Sequence, residues 1–359
     1  MSETAETVVR RTIEIAEVPA PTGAEGARAA LVEAWWERDG LDAVHRDPVG
    51  NVWARVRGGD GPIVILCAHL DTVFGPEVPH SVRVEGSTLV GPSVGDDSVG
   101  VASLSAAGLG LGRGTMPVWL LASVGEEGLG NLRGAQAALE ASPAPVAAFV
   151  AVEGNYLGRV STVGVGSVRR RVRVEGPGGH AWEAARAPSA VHAVADLVAS
   201  IAAVEPGPGT SINVGRIGGG EGINMRAMKA WCEIDLRADD PATLATLAAE
   251  VDALAARIEP PLTVAQDVLG DRPAGRIDAD HPLVRAAEEA LDEIGASPVS
   301  PATSTDANAA HARGIPAIAV GVTRGSGEHT AEEWIETGPI EDGVRALTRT
   351  VERFEELST

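Results

Sequence analysis

Four short apolar runs punctuate the chain, at residues 63–68 (IVILCA), 118–124 (VWLLASV), 146–152 (VAAFVAV) and 317–322 (AIAVGV). They are too short for buried helices and rich in β-branched residues, so each predicts a strand buried on both faces. Between them, apolar positions recur at helical spacing over 25–38, 100–111, 132–140 and 283–294. This alternation predicts an α/β architecture, a mixed, largely parallel sheet with helices on both faces. Ligands of such sheets bind beyond the carboxyl ends of the strands.

The pattern changes after residue 165. Residues 168–175 (VRRRVRVE) alternate apolar and charged positions, as a strand with one wet face does. A helix over 189–204, strands over 211–217 and 225–236, a helix over 241–258 and a strand over 262–266 follow. That order, β-α-β-β-α-β, is the ferredoxin-like split unit. An α+β domain over 166–273 is therefore expected as an insertion into a larger domain built from 1–165 and 274–359.

Composition narrows the function classes. With 29 basic and 50 acidic side chains the net charge is −21, which repels nucleic acid and anionic lipid. The only cysteines, Cys67 and Cys232, lie inside apolar segments. They suggest no disulfide framework and suit a reducing cytosol. No signal-peptide core or membrane-length apolar stretch is visible, so a cytoplasmic protein is expected.

Acidic and imidazole side chains collect where the predicted strands end. His69 and Asp71 follow the first run and share one side of extended chain. Asp96 and Asp97 lie in a glycine-rich loop before a helix, where they could cap the helix or bridge two cations. Glu126 and Glu127 follow the second run, Glu153 the third, and His329 the fourth. Each is ordinary alone. Together they offer nitrogen and oxygen donors without thiolate, a set that suits zinc, cobalt or manganese.

These segments, HLD at 69–71, GDDSVG at 95–100, GEEG at 125–128, VEG at 152–154, GGH at 178–180, STDAN at 304–308 and EHTAEEW at 328–334, give the chain its resemblance to a known family. It resembles the co-catalytic zinc exopeptidases and deacylases, which include aminoacylase, peptidase T, glutamate carboxypeptidase and succinyl-diaminopimelate desuccinylase. The resemblance implies that His69 and Glu153 hold one metal, that Glu127 and His329 hold the other, and that Asp96 bridges them. It implies that Asp71 orients His69 and that Glu126 is the general base. The insert becomes a lid and dimerisation domain, whose His180 reaches the partner's active site in a homodimer. Asn213, Asn224 and Arg237 fall at the family's lid positions for substrate contact. Asp97 occupies a variable place, and Ser98 departs from the lysine many members carry there.

The activity so implied is metal-dependent cleavage of an amide or peptide bond in a small substrate, a short peptide or an N-acyl amino acid. Glu153 inclines this toward carboxypeptidase or deacylase action, whereas STDAN and EHTAEEW look more like the peptidase T aminopeptidase branch. Two other readings stand beside it. One is a non-catalytic metal-binding relative. The other is a metal-free α/β enzyme with a serine or cysteine nucleophile, for which Cys67 is badly placed inside a strand.

Overall fold

The four apolar runs lie side by side. In the computed structural model, which describes residues 2–358, they form the centre of a seven-stranded sheet. Its order is Asp42–Arg46, Val52–Arg57, Val118–Ser123, Ile63–His69, Val146–Glu153, Ala317–Gly321, Val160–Ser161. The central strands are parallel, and those beyond them pair antiparallel. The two-residue period of a strand then assigns side chains to layers. Val64, Leu66 and Ala68 enter one core with Trp35, Leu104 and Leu347. Ile63, Ile65 and Cys67 enter another with Leu132, Ala135 and Ala309. Both faces are covered, which is why Ile63–His69 is buried throughout and shows no polar alternation.

The chain divides into two units. One takes in the chain up to Gly164 and again from Arg276; the other is Val165–Gly275. The second contains Gly166–Glu175, Ala190–Ala202, Thr210–Gly219, Lys229–Ala238, Pro241–Ala255 and Thr263–Arg272. Its antiparallel sheet is ordered Thr210–Gly219, Lys229–Ala238, Gly166–Glu175, Thr263–Arg272. Val172, Cys232, Ile234 and Leu236 pack with Val194, Leu197 and Val251 of its helices. The opposite residues carry charge, as in the pairs Arg169–Asp235 and Arg173–Asp267. Asp240 caps Pro241–Ala255 by accepting the Thr243 N–H at 2.8 Å, with Pro241 in the first turn, where a missing N–H costs nothing.

The helices Glu3–Ala16 and Ile340–Ser358 are not among the predicted elements, and neither are the strands Asp42–Arg46 and Val52–Arg57. Within Glu3–Ala16 the buried residues Ala5, Val8, Thr12 and Ile15 are separated by exposed charge, so the apolar density of the segment is low. No helix among the described residues is long and apolar enough to cross a membrane.

The C-terminal helix is held to the sheet by Glu355. Its carboxylate lies 2.6 Å from Arg57 Nη2 and accepts from the Thr115 hydroxyl at 2.8 Å and the Met116 N–H at 3.0 Å. Burial opposes the charge, but these donors and Arg57 hold the carboxyl down at about 2, against an ordinary value of 4.5. A depressed folded-state pKa stabilises above the unfolded value, and that gain is lost as pH falls through the folded one. Glu355→Gln is therefore expected to cost about 1–2 kcal/mol near neutral pH. The difference from the native chain should shrink as pH falls from 4.5 to about 2, which thermal unfolding across that range checks.

Candidate metal centre

The carboxyl ends of the parallel strands converge on one place. His69 ends Ile63–His69, Glu153 ends Val146–Glu153, and Glu126 and Glu127 come just after Val118–Ser123. Asp96 lies in the turn Val94–Ser98, which leads into the helix Val99–Leu109, and its peptide bond to Asp97 is cis. His329 sits beyond Ala317–Gly321 in a left-handed backbone conformation, φ 63°.

Asp96 is the centre of the arrangement. One carboxylate oxygen lies 2.9 Å from His69 Nε2 and the other 3.2 Å from His329 Nε2, which is also 3.2 Å from Glu127 Oε1. Three groups have ligand atoms mutually within 4.8 Å: His69, Asp96 and Glu153; Asp96, Glu127 and His329; His69, Glu126 and Glu127. Asp96 is common to the first two. His69 is 2% exposed and His329 56%, so the cluster reaches solvent on the His329 side.

The electrostatics are those of a cation site. Burial opposes charge on Asp96, but hydrogen bonds from His329 and His69 hold it well below the carboxylate range. His329 is raised to about 10 by its bonds to Asp96 and Glu127. Burial disfavours a charged His69, yet Asp96 and the surrounding carboxylates raise it well above its usual value. Glu153 is pushed up by burial and then by Asp97. Positive charge is what so many buried carboxylates require, and their nitrogen and oxygen donors fit hard or borderline divalent ions. The residues present therefore fit a pair of such ions sharing Asp96.

Asp71 acts through two groups. Its backbone carbonyl is 3.0 Å from His69 Nδ1, while its nearest carboxylate oxygen is 3.7 Å from that nitrogen. The carboxylate instead accepts the N–H groups of Glu126 at 3.0 Å and Glu127 at 2.9 Å and the Thr22 hydroxyl at 2.9 Å. It thereby sets the turn that presents both glutamates.

His180, Asn213, Asn224 and Arg237 belong to the second unit and to none of the three groups. His180 is exposed and bridges to Met225, the Asn224 carbonyl accepts from the Ala181 N–H at 2.8 Å, and Arg237 donates to Asp235 at 3.0 Å. Asn213 lies on the edge strand Thr210–Gly219.

Five residues outside the expected set shape the site. Asp97 is fully buried and accepts the His69 N–H at 3.1 Å and the Gly154 N–H at 2.8 Å, joining two strand ends. Glu333, also fully buried, accepts the N–H groups of Gly95 at 2.9 Å and Asp96 at 2.7 Å; burial pushes its carboxyl up to about 8. Arg28 is buried beneath the site and donates to the Leu70 carbonyl at 3.2 Å and the Ser93 hydroxyl at 2.9 Å. Burial lowers it to about 10. Ser93 stands in a G-x-S-x-G sequence at 91–95, the pattern of a serine-nucleophile turn that the metal-free reading would need. It is fully buried and its hydroxyl is engaged by Arg28, unlike an exposed nucleophile. Gly154 permits the close approach of these loops, since a Cβ there would collide with the Gly95 carbonyl and Val99.

The family model for Peptidase family M20/M25/M40 matches residues 65–353. The chain is 28% identical to the LysW-lysine hydrolase of Deinococcus radiodurans over 98% of both chains. It is 41% identical over 78 residues to a protein of Pyrococcus abyssi assigned as a LysW-lysine/LysW-ornithine hydrolase, a match that spans only 22% of each chain. A tripeptidase from Staphylococcus aureus has the same fold, with a TM-score of 0.80, 19% identity, and coverage of 99% of this chain and 98% of that one.

Proposed function

The chain belongs to peptidase family M20/M25/M40, and on that premise we propose that it is a two-metal hydrolase cleaving an amide or peptide bond in a short peptide or an N-acyl amino acid. The observation that carries this reading is the Asp96 carboxylate, with one oxygen toward His69 and the other toward His329. His69 and Glu153 would hold one ion and Glu127 and His329 the other, with Asp96 shared. Zinc suits these donors best, with cobalt or manganese as alternatives. Such a pair, when bound, supplies Lewis acidity and an acidified water.

The chain's own contribution is proton transfer and positioning. Glu126 belongs to neither Asp96-containing group, yet its carboxylate lies within 4.8 Å of His69 and Glu127 ligand atoms. It is suited to take the proton of the attacking water and return it to the departing amine. Asp71 fixes its backbone by accepting its N–H. In a homodimer formed through the second unit, His180 would serve the partner's site, and Asn213, Asn224 and Arg237 would contact substrate. A cytoplasmic enzyme is consistent with the buried free thiols of Cys67 and Cys232.

Glu153 favours carboxypeptidase or deacylase action, and the hydrolase name of the Deinococcus relative accords with release of an amino acid from an amide. A structural neighbour from Bacillus cereus, the aminopeptidase PepT, supports aminopeptidase action as the second reading. Hydrolysis should be abolished by a chelator and restored by zinc, cobalt or manganese across a panel of dipeptides, tripeptides and N-acyl amino acids. Turnover that survives complete metal removal would overturn the proposal, and the cleaved bond decides between the two readings.

A further inference from the structure

Glu333 lies four residues after His329 and just before the strand Trp334–Glu336. That strand pairs with Thr88–Val90, and the Gly91 N–H donates to the Glu333 carbonyl at 2.8 Å. The segment carrying His329 is thus laid against the segment leading to Asp96. From there the Glu333 side chain reaches the loop itself. A single oxygen, Oε1, accepts two successive backbone N–H groups, those of Gly95 at 2.9 Å and Asp96 at 2.7 Å. A Cβ on residue 95 would come within 2.6 Å of this oxygen, so the approach needs glycine.

A carboxyl group is an expensive way to fill space. Glu333 is fully buried, and among the described residues no ion pair to it is found and its second oxygen, Oε2, has no hydrogen-bond partner. An apolar side chain of similar volume would avoid that desolvation. What it could not do is fix the two peptide groups immediately before the Asp96 Cα. That backbone determines where the Asp96 carboxylate stands, and the carboxylate must present one oxygen to each histidine.

We infer that Glu333 is a positioning residue that sets the Asp96 carboxylate between His69 and His329, and through it the affinity of the site for divalent cations. The inference rests on the reading of Asp96 as the shared ligand. Partners that orient metal ligands typically contribute about 10–100-fold in affinity.

Zinc titration by calorimetry of metal-stripped native chain, Glu333→Ala, Glu333→Asp and Glu333→Gln tests it, with circular dichroism to verify folding. Alanine removes the acceptor and aspartate falls one methylene short, so both should bind zinc about 10–100-fold more weakly. The amide oxygen of glutamine can accept the same two N–H groups, and this variant should stay within about threefold of native. Should the alanine variant unfold, the aspartate and glutamine variants carry the comparison alone. Native affinity in the aspartate variant overturns the inference, as does a loss in the glutamine variant equal to that in the shortened ones, which would mean that charge rather than hydrogen bonding matters. A native chain that binds no zinc fails at an earlier step, the two-metal reading itself.

Discussion

Glu126→Gln is expected to bind zinc as the native chain does and to turn over substrate about a hundred- to ten-thousandfold more slowly. The substitution is nearly isosteric and leaves the Glu126 N–H on Asp71 undisturbed. The residues assigned to the two ions are all retained. What the amide loses is the ability to take and return a proton. The deficit should therefore fall on kcat, with little change in KM where KM reports binding. Steady-state kinetics with metal content measured on the same sample checks this. Turnover within a few-fold of native at full metal loading would place the base elsewhere. A variant that loses metal as well would show that Glu126 is a ligand.

Legibility in the sequence followed burial. Residues 63–68 could be read as a strand because both faces of Ile63–His69 are covered, and a doubly buried strand leaves an uninterrupted apolar run. The alternation over 168–175 was equally plain, since one face of Gly166–Glu175 meets helices and the other carries charge. Val52–Arg57 offered less. It is buried at Val52, Trp53 and Ala54 but half-buried through Arg55, Val56 and Arg57, so neither period dominates. Thr263–Arg272 is an edge strand with exposed polar residues, and only its first residues stood out.

The acidic and imidazole residues at strand ends were visible for a topological reason: parallel strands deliver their carboxyl ends to one rim. Spacing alone could not show that residues as far apart as His69 and His329 meet on Asp96. The roles of the layer behind them were hidden. Glu332 and Glu333 are indistinguishable in the sequence, yet Glu332 is exposed and Glu333 is fully buried against a loop 237 positions away. Arg28 is one of several charges within the helix Gly26–Arg38, and nothing in the residue pattern marks its complete burial against Leu70 and Ser93. A positioning residue earns its place through backbone groups, which every residue has, so its partner leaves no mark in the residue pattern.

Asp96→Ala is expected to weaken zinc at both positions by more than about a hundredfold, beyond what loss of an orienting partner does. The reason is the shared carboxylate, since Asp96 alone belongs to both the His69–Glu153 and the Glu127–His329 groups. Removing it takes one oxygen from each, leaving His69 Nε2 without the acceptor it faces and His329 with Glu127 alone. Glu153→Ala is the informative contrast, because it strips one group and leaves Asp96, Glu127 and His329 whole. At zinc concentrations that fill the native chain, Glu153→Ala should retain close to one ion per chain and Asp96→Ala close to none. Metal stoichiometry after equilibrium dialysis separates the two. If Asp96→Ala instead keeps one tightly held ion, the carboxylate serves a single position, and the two histidines must be assigned to independent sites.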